Sequence, residues 1–392
     1  MRGMPDGAPA NAESLIATLK QAGLLNAPLE AAFRAVPRAA FLPNLAPDQV
    51  YKDEALPIKY DEDGSILSSS SQPSMMAIML RQLDLKPGQN VLEIGTGTGY
   101  NAALIQQLVG DEGRVTTVEI DAPLAELARA NLQRVLMGRV QVVQGDGANG
   151  YVPRANYDRI MATAGIWDVP AAWSRQLMPK GILVAPLWLE GFEVSAALML
   201  QTDRSLYSAN NRLCGFIPLR GQAAGPETAM RIGTSGLYLH APSKMDSAAI
   251  QALLSDDAED NYLGAAPNAW DYWQGFLPYF VLHVPDTFIL ARYHVTKDAP
   301  AYGLTGSGFV LMMPGSACFV STAARGTARS FGSADAFMEV EAALIAWERD
   351  GKPAQDRLRL RLIPKENDSF AVRRGKVYTR RDHTLCAWME LD

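Results

Sequence analysis

Three glycines at alternate positions, Gly95, Gly97 and Gly99, follow the apolar run Val91-Leu92-Glu93-Ile94 and precede a helical pattern over residues 100–108. Glycine tolerates positive φ and lets a ligand approach the backbone closely. A helix that begins there offers N–H groups without intrahelical partners, suited to a carboxylate or phosphate. The spacing is GxGxG, not the GxGxxG of dinucleotide sites, and a glycine turn alone also occurs for steric reasons. One βαβ unit later, Glu119 ends the run 115–119. A carboxylate there can accept both hydroxyls of a ribose. After the next run, 140–144, stands Gly145-Asp146-Gly147. An acid at that place can accept from an adenine amino group, or simply cap the segment that follows. All three elements fall at the carboxyl edge of successive strands, where open α/β sheets bind ligands. Jointly they imply a nucleoside with an amino-acid tail, S-adenosylmethionine.

The surrounding pattern supplies the scaffold. From Asn90 onward, short apolar runs (91–94, 115–119, 140–144, 157–162, 182–186) alternate with helical stretches (100–108, 124–136, 170–177). That alternation predicts a parallel sheet covered on both faces. Residues 194–200 and 213–218 read as a closing antiparallel pair. Upstream, 11–22 and 28–35 carry apolar residues at helical spacing, with Asn26 as an N-cap and Pro28 in the first turn. Residues 51–73 read as irregular, with a new helix near Ser74. A Gly-, Ala- and Pro-rich break at 221–228 is followed by helical stretches (247–254, 334–350) mixed with strands (287–295, 309–313, 358–363, 377–379, 385–389). The expected architecture is therefore α/β: a Rossmann-like class I methyltransferase sheet with an N-terminal helical segment over 1–220. A smaller α+β domain over 221–392 follows.

Composition narrows the partners. The 392 residues carry 36 basic and 42 acidic side chains, a formal charge of −6, with 48% hydrophobic residues. That is an ordinary soluble composition and argues against a nucleic-acid partner. The cluster Arg373, Arg374, Lys376, Arg380, Arg381 is the one local exception, and a solvated strand face is its plainer reading. Three scattered cysteines and four scattered histidines predict neither a disulfide framework nor a metal site. Residues 1–11 lack an apolar core, and no apolar run approaches the roughly 18 residues of a membrane span. A cytoplasmic protein without membrane contact is expected.

Longer stretches carry a resemblance. Val36-Pro37-Arg38 with Phe41-Leu42-Pro43, Tyr51-Lys52-Asp53-Glu54-Ala55-Leu56-Pro57-Ile58 and Ser71-Gln72-Pro73 precede the glycine turn. Gly145-Asp146-Gly147, Tyr157-Asp158-Arg159-Ile160 and Val169-Pro170 follow it. Together these resemble the protein-L-isoaspartate O-methyltransferase family over about residues 11–220. The Pro-Ile and Ser-Gln-Pro elements set that family apart from other methyltransferases. The resemblance implies that Glu93, Gly95, Thr96, Gly97, Gly99, Glu119, Asp146 and Gly147 hold S-adenosylmethionine, with S-adenosylhomocysteine as product. It implies that Ser71 is the catalytic residue beside the methyl group, and that Ile58, Ser70, Ser71 and Gln72 bind the acceptor. The implied partner is a protein or peptide bearing an aspartyl or isoaspartyl carboxylate, whose methyl ester closes to a succinimide. Two features depart from the family. The link 59–67 is longer and acidic, and the region after 220 is additional. Relatives with such extensions resemble enzymes that tailor one aspartate of a ribosomal precursor peptide, so repair and tailoring both stay open. A small-molecule acceptor is a more distant alternative. The region after 220 is expected to recognise the substrate.

The residues suit such chemistry without a base. A carboxylate with a pKa near 4 is already ionised at neutral pH. No His or Lys dyad is needed, and none is evident. The aromatic cluster Trp270, Tyr272, Trp273 reads as core packing or as a peptide-binding surface. Trp167, Trp173 and Trp188 read as core.

Overall fold

The computed structural model describes residues 11–391 apart from 63, 227–228, 242–244, 265–267, 297–300, 322–325 and 371–372. The reading of 1–10 lies outside the described residues.

Helices α1 (Ala12–Gln21) and α2 (Ala27–Ala35) open the chain. Asn11 caps the first and Asn26 the second, each side chain accepting a backbone N–H three residues on. A one-turn helix α3 (Pro47–Val50) follows. Residues 51–73, expected to be irregular, instead contain a hairpin of β1 (Leu56–Tyr60) and β2 (Ile66–Ser70), and so Ser68, Ser69 and Ser70 are strand residues. Helix α4 (Pro73–Leu83) leads into the main sheet.

That sheet begins with β3 (Asn90–Ile94), α5 (Tyr100–Val109), β4 (Arg114–Glu119), α6 (Ala122–Arg134), β5 (Gln141–Gln144), β6 (Tyr157–Ala162), α7 (Ala171–Gln176) and β7 (Leu177–Trp188). Strands β5, β4, β3, β6 and β7 lie side by side and parallel. The next strand, β8 (Glu193–Leu200), turns antiparallel and pairs with β9 (Leu206–Ser208) and β10 (Asn211–Cys214).

The chain after 220 is divided between two sheets. Strands β11 (Ala229–Arg231), β12 (Leu237–His240), β13 (Ala258–Tyr262), β14 (Ile289–Val295), β15 (Ser307–Met313), β16 (Ser316–Ser321) and β17 (Thr327–Gly332) form a seven-stranded antiparallel sheet. Strands β18 (Leu358–Pro364), β19 (Lys376–Thr379) and β20 (His383–Met389) return to extend the methyltransferase sheet through β9. Their alternating buried residues, Leu358, Leu360 and Leu362, join the apolar core that also holds Leu183, Leu198 and Leu206. Helix α8 (Ser247–Leu254) packs on the outer face of the second sheet. A short helix α9 (Ala269–Asp271) runs through a π-helical turn into α10 (Leu277–His283). With α11 (Asp335–Arg349), that segment fills the space between the two sheets. Phe276 and Trp347 meet there edge to face, and the Trp347 indole donates to Pro353 O.

A buried polar latch ties the returning strand to the older half. Asp168, after β6, accepts from Val169 N, Asp382 N and His383 Nδ1, and Asp382 in turn accepts from Ala171 N. The basic cluster is dispersed. Arg380 is buried over the Trp167 and Tyr378 rings, Arg374 lies over Trp388, and Lys376 and Arg381 donate to carbonyls of Val281 and Gln222.

Candidate active site

A cavity of about 1140 Å³ opens at the carboxyl edge of the parallel strands. Its floor is the glycine turn. Gly95 and Gly97 hold φ values of +94° and +53°, a region that disfavours any side chain. A Cβ on Gly95 would stand 2.6 Å from Thr163 Oγ1, and one on Gly97 would meet Ser68 Oγ of the hairpin at 3.8 Å, ordinary contact. The turn is thus bare backbone facing the hairpin β1–β2, which forms the opposite wall.

Beneath the turn lies a fully buried polar cluster. Glu93 accepts from Asn101 Nδ2 at 2.7 Å and from Thr117 Oγ1 at 2.6 Å, and the Thr96 hydroxyl bonds Thr117 at 2.7 Å. Burial pushes the Glu93 carboxyl up to about 7, the two donors pull it back, and the Glu119 charge adds to the rise. Glu93 does not reach the cavity wall. It fixes the turn from below instead of touching a ligand.

Glu119 ends β4 on the cavity wall. It accepts from Gly97 N at 3.0 Å and Asp121 N at 3.1 Å. A carboxylate has about four acceptor sites, so two remain for ribose hydroxyls. Asp146 lies just outside the wall, which Gly147 reaches. It accepts from Ala148 N and from Gln222 N, the latter at the start of the additional region. The Trp173 indole holds Gly147 O at 2.8 Å. Gly99 is also off the wall: it faces Ala128 and Leu132 of α6 and lets that helix pack close.

On the acceptor side, Ser70, Ser71 and Gln72 line the same cavity as Gly95, Thr96, Gly97, Glu119 and Gly147. Ile58 does not, while its neighbour Pro57 does. Successive strand residues point to opposite faces, which accounts for the difference.

Residues without an assigned role hold this wall in place. Arg38 is buried and donates to Ser71 O at 3.0 Å, with Glu54 O and Ser70 O at 3.5 Å. Its guanidinium lies 5.6 Å from the Tyr100 ring centre. Asp53 accepts from Ser74 N and Gln72 Nε2. Both stand in the quoted motifs, and for Arg38 a charged residue among the apolar positions of Val36 to Leu42 was the signal that could have marked it. Lys59, in the acidic link, reaches across to Asp121 at 2.5 Å. Burial opposes the charge of Asp121, but the Lys59 hydrogen bond prevails and lowers its pKa below the ordinary range.

The parallel sheet, the bare glycine turn and acids at the ends of β4 and β5 define a class I S-adenosylmethionine-dependent methyltransferase. The residues present fit that cofactor. The turn accepts a close ligand, and Glu119 keeps free acceptor sites. A family model described as protein-L-isoaspartate(D-aspartate) O-methyltransferase matches residues 10–224, more than half of the chain. This chain belongs to that family. Protein-L-isoaspartate O-methyltransferase 2 of Archaeoglobus fulgidus is 38% identical over 212 residues, covering 54% of this chain and 93% of its own. The protein-L-isoaspartate O-methyltransferase of Methanopyrus kandleri is 39% identical over 213 residues, covering 54% of this chain and 91% of its own. A solved protein-L-isoaspartate O-methyltransferase superposes with a TM-score of 0.53 at 26% identity, across 89% of this chain and 96% of its own. That superposition extends well beyond the family region, into the additional strands. Among the described residues, no helix is long and apolar enough to cross a membrane.

Proposed function

We propose that this chain methylates the free carboxylate of isoaspartyl residues in peptides and proteins, with Ser71 orienting the acceptor. One observation carries the reading. Ser70, Ser71 and Gln72 share a single cavity with the glycine turn and Glu119, so acceptor and cofactor groups meet in one enclosure.

When bound, the cofactor supplies an electrophilic methyl group on a sulfonium. The chain supplies position. Gly95, Thr96 and Gly97 receive the amino-acid tail, Glu119 the ribose, and Asp146 with Gly147 the adenine edge. Ser71 turns the acceptor carboxylate toward the methyl group, held from behind by Arg38. Orientation of this kind is worth several kcal/mol. The acceptor is ionised at neutral pH, so no residue needs to remove a proton. Charge is neutralised as the methyl moves, so surroundings less polar than water favour that change. The following backbone nitrogen then attacks the ester carbonyl and closes a succinimide, and the methoxide leaves with the amide proton as methanol.

The region after 220 supports substrate recognition in this reading. It contributes Trp270, Gln274, Arg292 and Gln355 to the cavity wall. The extended superposition on a solved family member favours isoaspartate as acceptor over a single aspartate of a precursor peptide.

The test is mass-spectrometric methylation of a short isoaspartyl peptide and its aspartyl twin. Methyl ester on the isoaspartyl peptide alone is expected. Ester formed only on aspartate would move the reading to peptide tailoring. Ser71→Ala is expected to lower kcat/KM about tenfold, the loss of one hydrogen bond to a charged group, with adenosylhomocysteine affinity near wild type. Unchanged turnover would remove Ser71 from the acceptor site.

A further inference from the structure

Part of the cavity wall comes from residues outside 10–224, among them Trp270, Arg292 and Gln355, and they stand beside Arg212 of β10. Arg292 on β14 and Arg212 on β10 both face the opening. Among the described residues, Arg292 makes no hydrogen bond or ion pair, and Arg212 donates only to the carbonyl of Asn211 beside it.

Arg292 stands on the inner face of the second sheet. Its register partners are His240 on β12 and Phe309 on β15, and Phe309 lies in the core shared with the first sheet. Paired strand residues share a face, so Arg292 points toward the methyltransferase half. The neighbouring polar groups on that face are rings. His240 Nε2 lies 2.9 Å from His294 Nδ1, and His294 stacks on Tyr238. Burial holds both histidines below their ordinary pKa, aided by the Arg292 charge, so they are neutral near pH 7.

Among the described residues, the nearby acids form no ion pair with Arg292. Glu193 feels its charge, but burial raises the Glu193 carboxyl to about 7, and one oxygen already accepts from Phe216 N. Asp356, exposed on the same wall, forms no ion pair with either arginine. Glu193 pairs in register with Cys214, two residues from Arg212, which places both arginines at the same end of the cavity. Trp270 adds an exposed indole on that wall. The wall itself is fixed: Gln355 accepts from Leu213 N of β10 and donates to Gln274.

A cationic group on a fixed wall, without an ion pair among the described residues and lining the cavity, is suited to meet an anionic group of the acceptor. We propose that Arg292, assisted by Arg212, binds a side-chain carboxylate of the acceptor peptide, so that the enzyme selects isoaspartyl sites with an acidic neighbour. The proposal rests on the peptide-acceptor reading above. Specificity of this kind is a difference of affinities between competing peptides.

The experiment uses the full chain and isoaspartyl peptides of one sequence, acetylated and amidated, with Glu, Gln or Lys next to the acceptor. Wild type is expected to rank them Glu, Gln, Lys in kcat/KM, with about fivefold between the extremes, expressed in KM. Arg292→Glu is expected to reverse the order, and Arg292→Gln to close the gap. Calorimetry with adenosylhomocysteine checks that each variant is folded. Equal kcat/KM for all three peptides in wild type, or the wild-type order kept by Arg292→Glu, overturns the proposal. A fourth peptide, with Gln and a free C-terminal carboxylate, separates the two sources of anion. If it alone is preferred, the side-chain assignment falls. Methylation of none of them removes the acceptor reading itself. Tighter binding of the Glu peptide than the Lys peptide to the adenosylhomocysteine complex then still decides the role of Arg292.

Discussion

The floor and the outer wall of the same cavity treat polar groups in opposite ways. Under the glycine turn, Glu93, Asn101, Thr117 and Thr96 are buried and joined by bonds of 2.6 to 2.7 Å. On the wall formed with the later region, Arg292 and Trp270 are exposed, and Arg292 has no hydrogen bond or ion pair among the described residues. Buried, paired groups have one arrangement, because any other leaves a polar atom unsatisfied. They suit a ligand that never changes, such as a cofactor. Charged groups left without partners cost little in water and respond to whatever arrives. They suit a ligand whose sequence varies. The hairpin β1–β2 lies between these regimes. Its strands are half-exposed, yet its carbonyls are held by the buried Arg38.

The largest way to break this contrast is to remove that anchor. Arg38→Ala would leave carbonyls of Ser70, Ser71 and Glu54 without a donor and open a void beneath them. A stability loss of at least about 3 kcal/mol is expected by denaturant titration. Arg38→Lys separates positioning from folding. It should bind adenosylhomocysteine nearly as well as wild type while kcat falls. A Lys variant with wild-type kcat would show that Arg38 serves the fold alone.

Next comes the floor's contact with the cofactor. On the proposed reading, Glu119→Ala would remove two charge-assisted hydrogen bonds to the ribose, each worth roughly 1.5–3 kcal/mol. Adenosylhomocysteine should bind on the order of 100-fold more weakly by titration calorimetry. Asp146→Ala, with one such bond at stake, should cost about tenfold. Unaltered affinity in both variants would take the adenosine out of this corner.

Glu193 sits where floor and wall meet, and it sharpens the comparison through pH. Burial raises its folded pKa from an ordinary 4.5 to about 7. Below 4.5 both folded and unfolded forms are protonated. Between 4.5 and 7 the unfolded form has released its proton and the folded form has not. Stability from this group is therefore full below 4.5, falls as pH rises through that window, and levels off above 7. Glu93, raised in the same way, contributes with the same sign. Glu193→Gln should gain on wild type as pH rises from 4.5 to 7, by on the order of 3 kcal/mol at most. Thermal midpoints at several pH values make the comparison. Parallel curves would mean that Glu193 is ionised in the folded protein.

Much of the scaffold was legible because its signals are local. The alternation from Asn90 to Trp188 yields the parallel strands nearly residue for residue, and Asn26 caps the helix that it precedes. The strands at 358–363 and 385–389 were legible too, but not their partners. An apolar alternation says that a strand has a buried face, not which sheet covers it. The hairpin escaped because Leu56–Tyr60 holds Pro57, which argues against a strand, and Ile66–Ser70 ends in serines without an apolar alternation. Within the site, sequence adjacency to the glycine turn placed Glu93 with the cofactor, although its side chain turns inward to Thr117. Arg38, Asp53 and Lys59 act through contacts 16 to 62 residues away along the chain, which no local pattern reveals.

The smallest effect concerns how the hairpin closes on the floor. Lys59 lies on β1 and Asp121 caps α6, and their 2.5 Å contact is the ion pair that joins the hairpin to the end of β4 among the described residues. The lysine is about one-third exposed, so the pair is worth a fraction of a kcal/mol to the fold. Its place matters more than its strength. On the proposed reading the hairpin covers the cofactor, and release would open that contact or bend the hairpin. Lys59→Ala should therefore leave the thermal midpoint almost unchanged and raise the dissociation rate of adenosylhomocysteine two- to fivefold, in line with the loss of up to about 1 kcal/mol from one barrier. Salt offers an independent reading, since a partly exposed pair is screened. Wild-type dissociation should quicken as ionic strength rises, and the Lys59→Ala rate should not. Stopped-flow displacement at low and high salt measures both. Equal salt dependence in the two proteins would place the rate-limiting motion elsewhere, in the segment 214–220 that forms the remaining edge of the cavity.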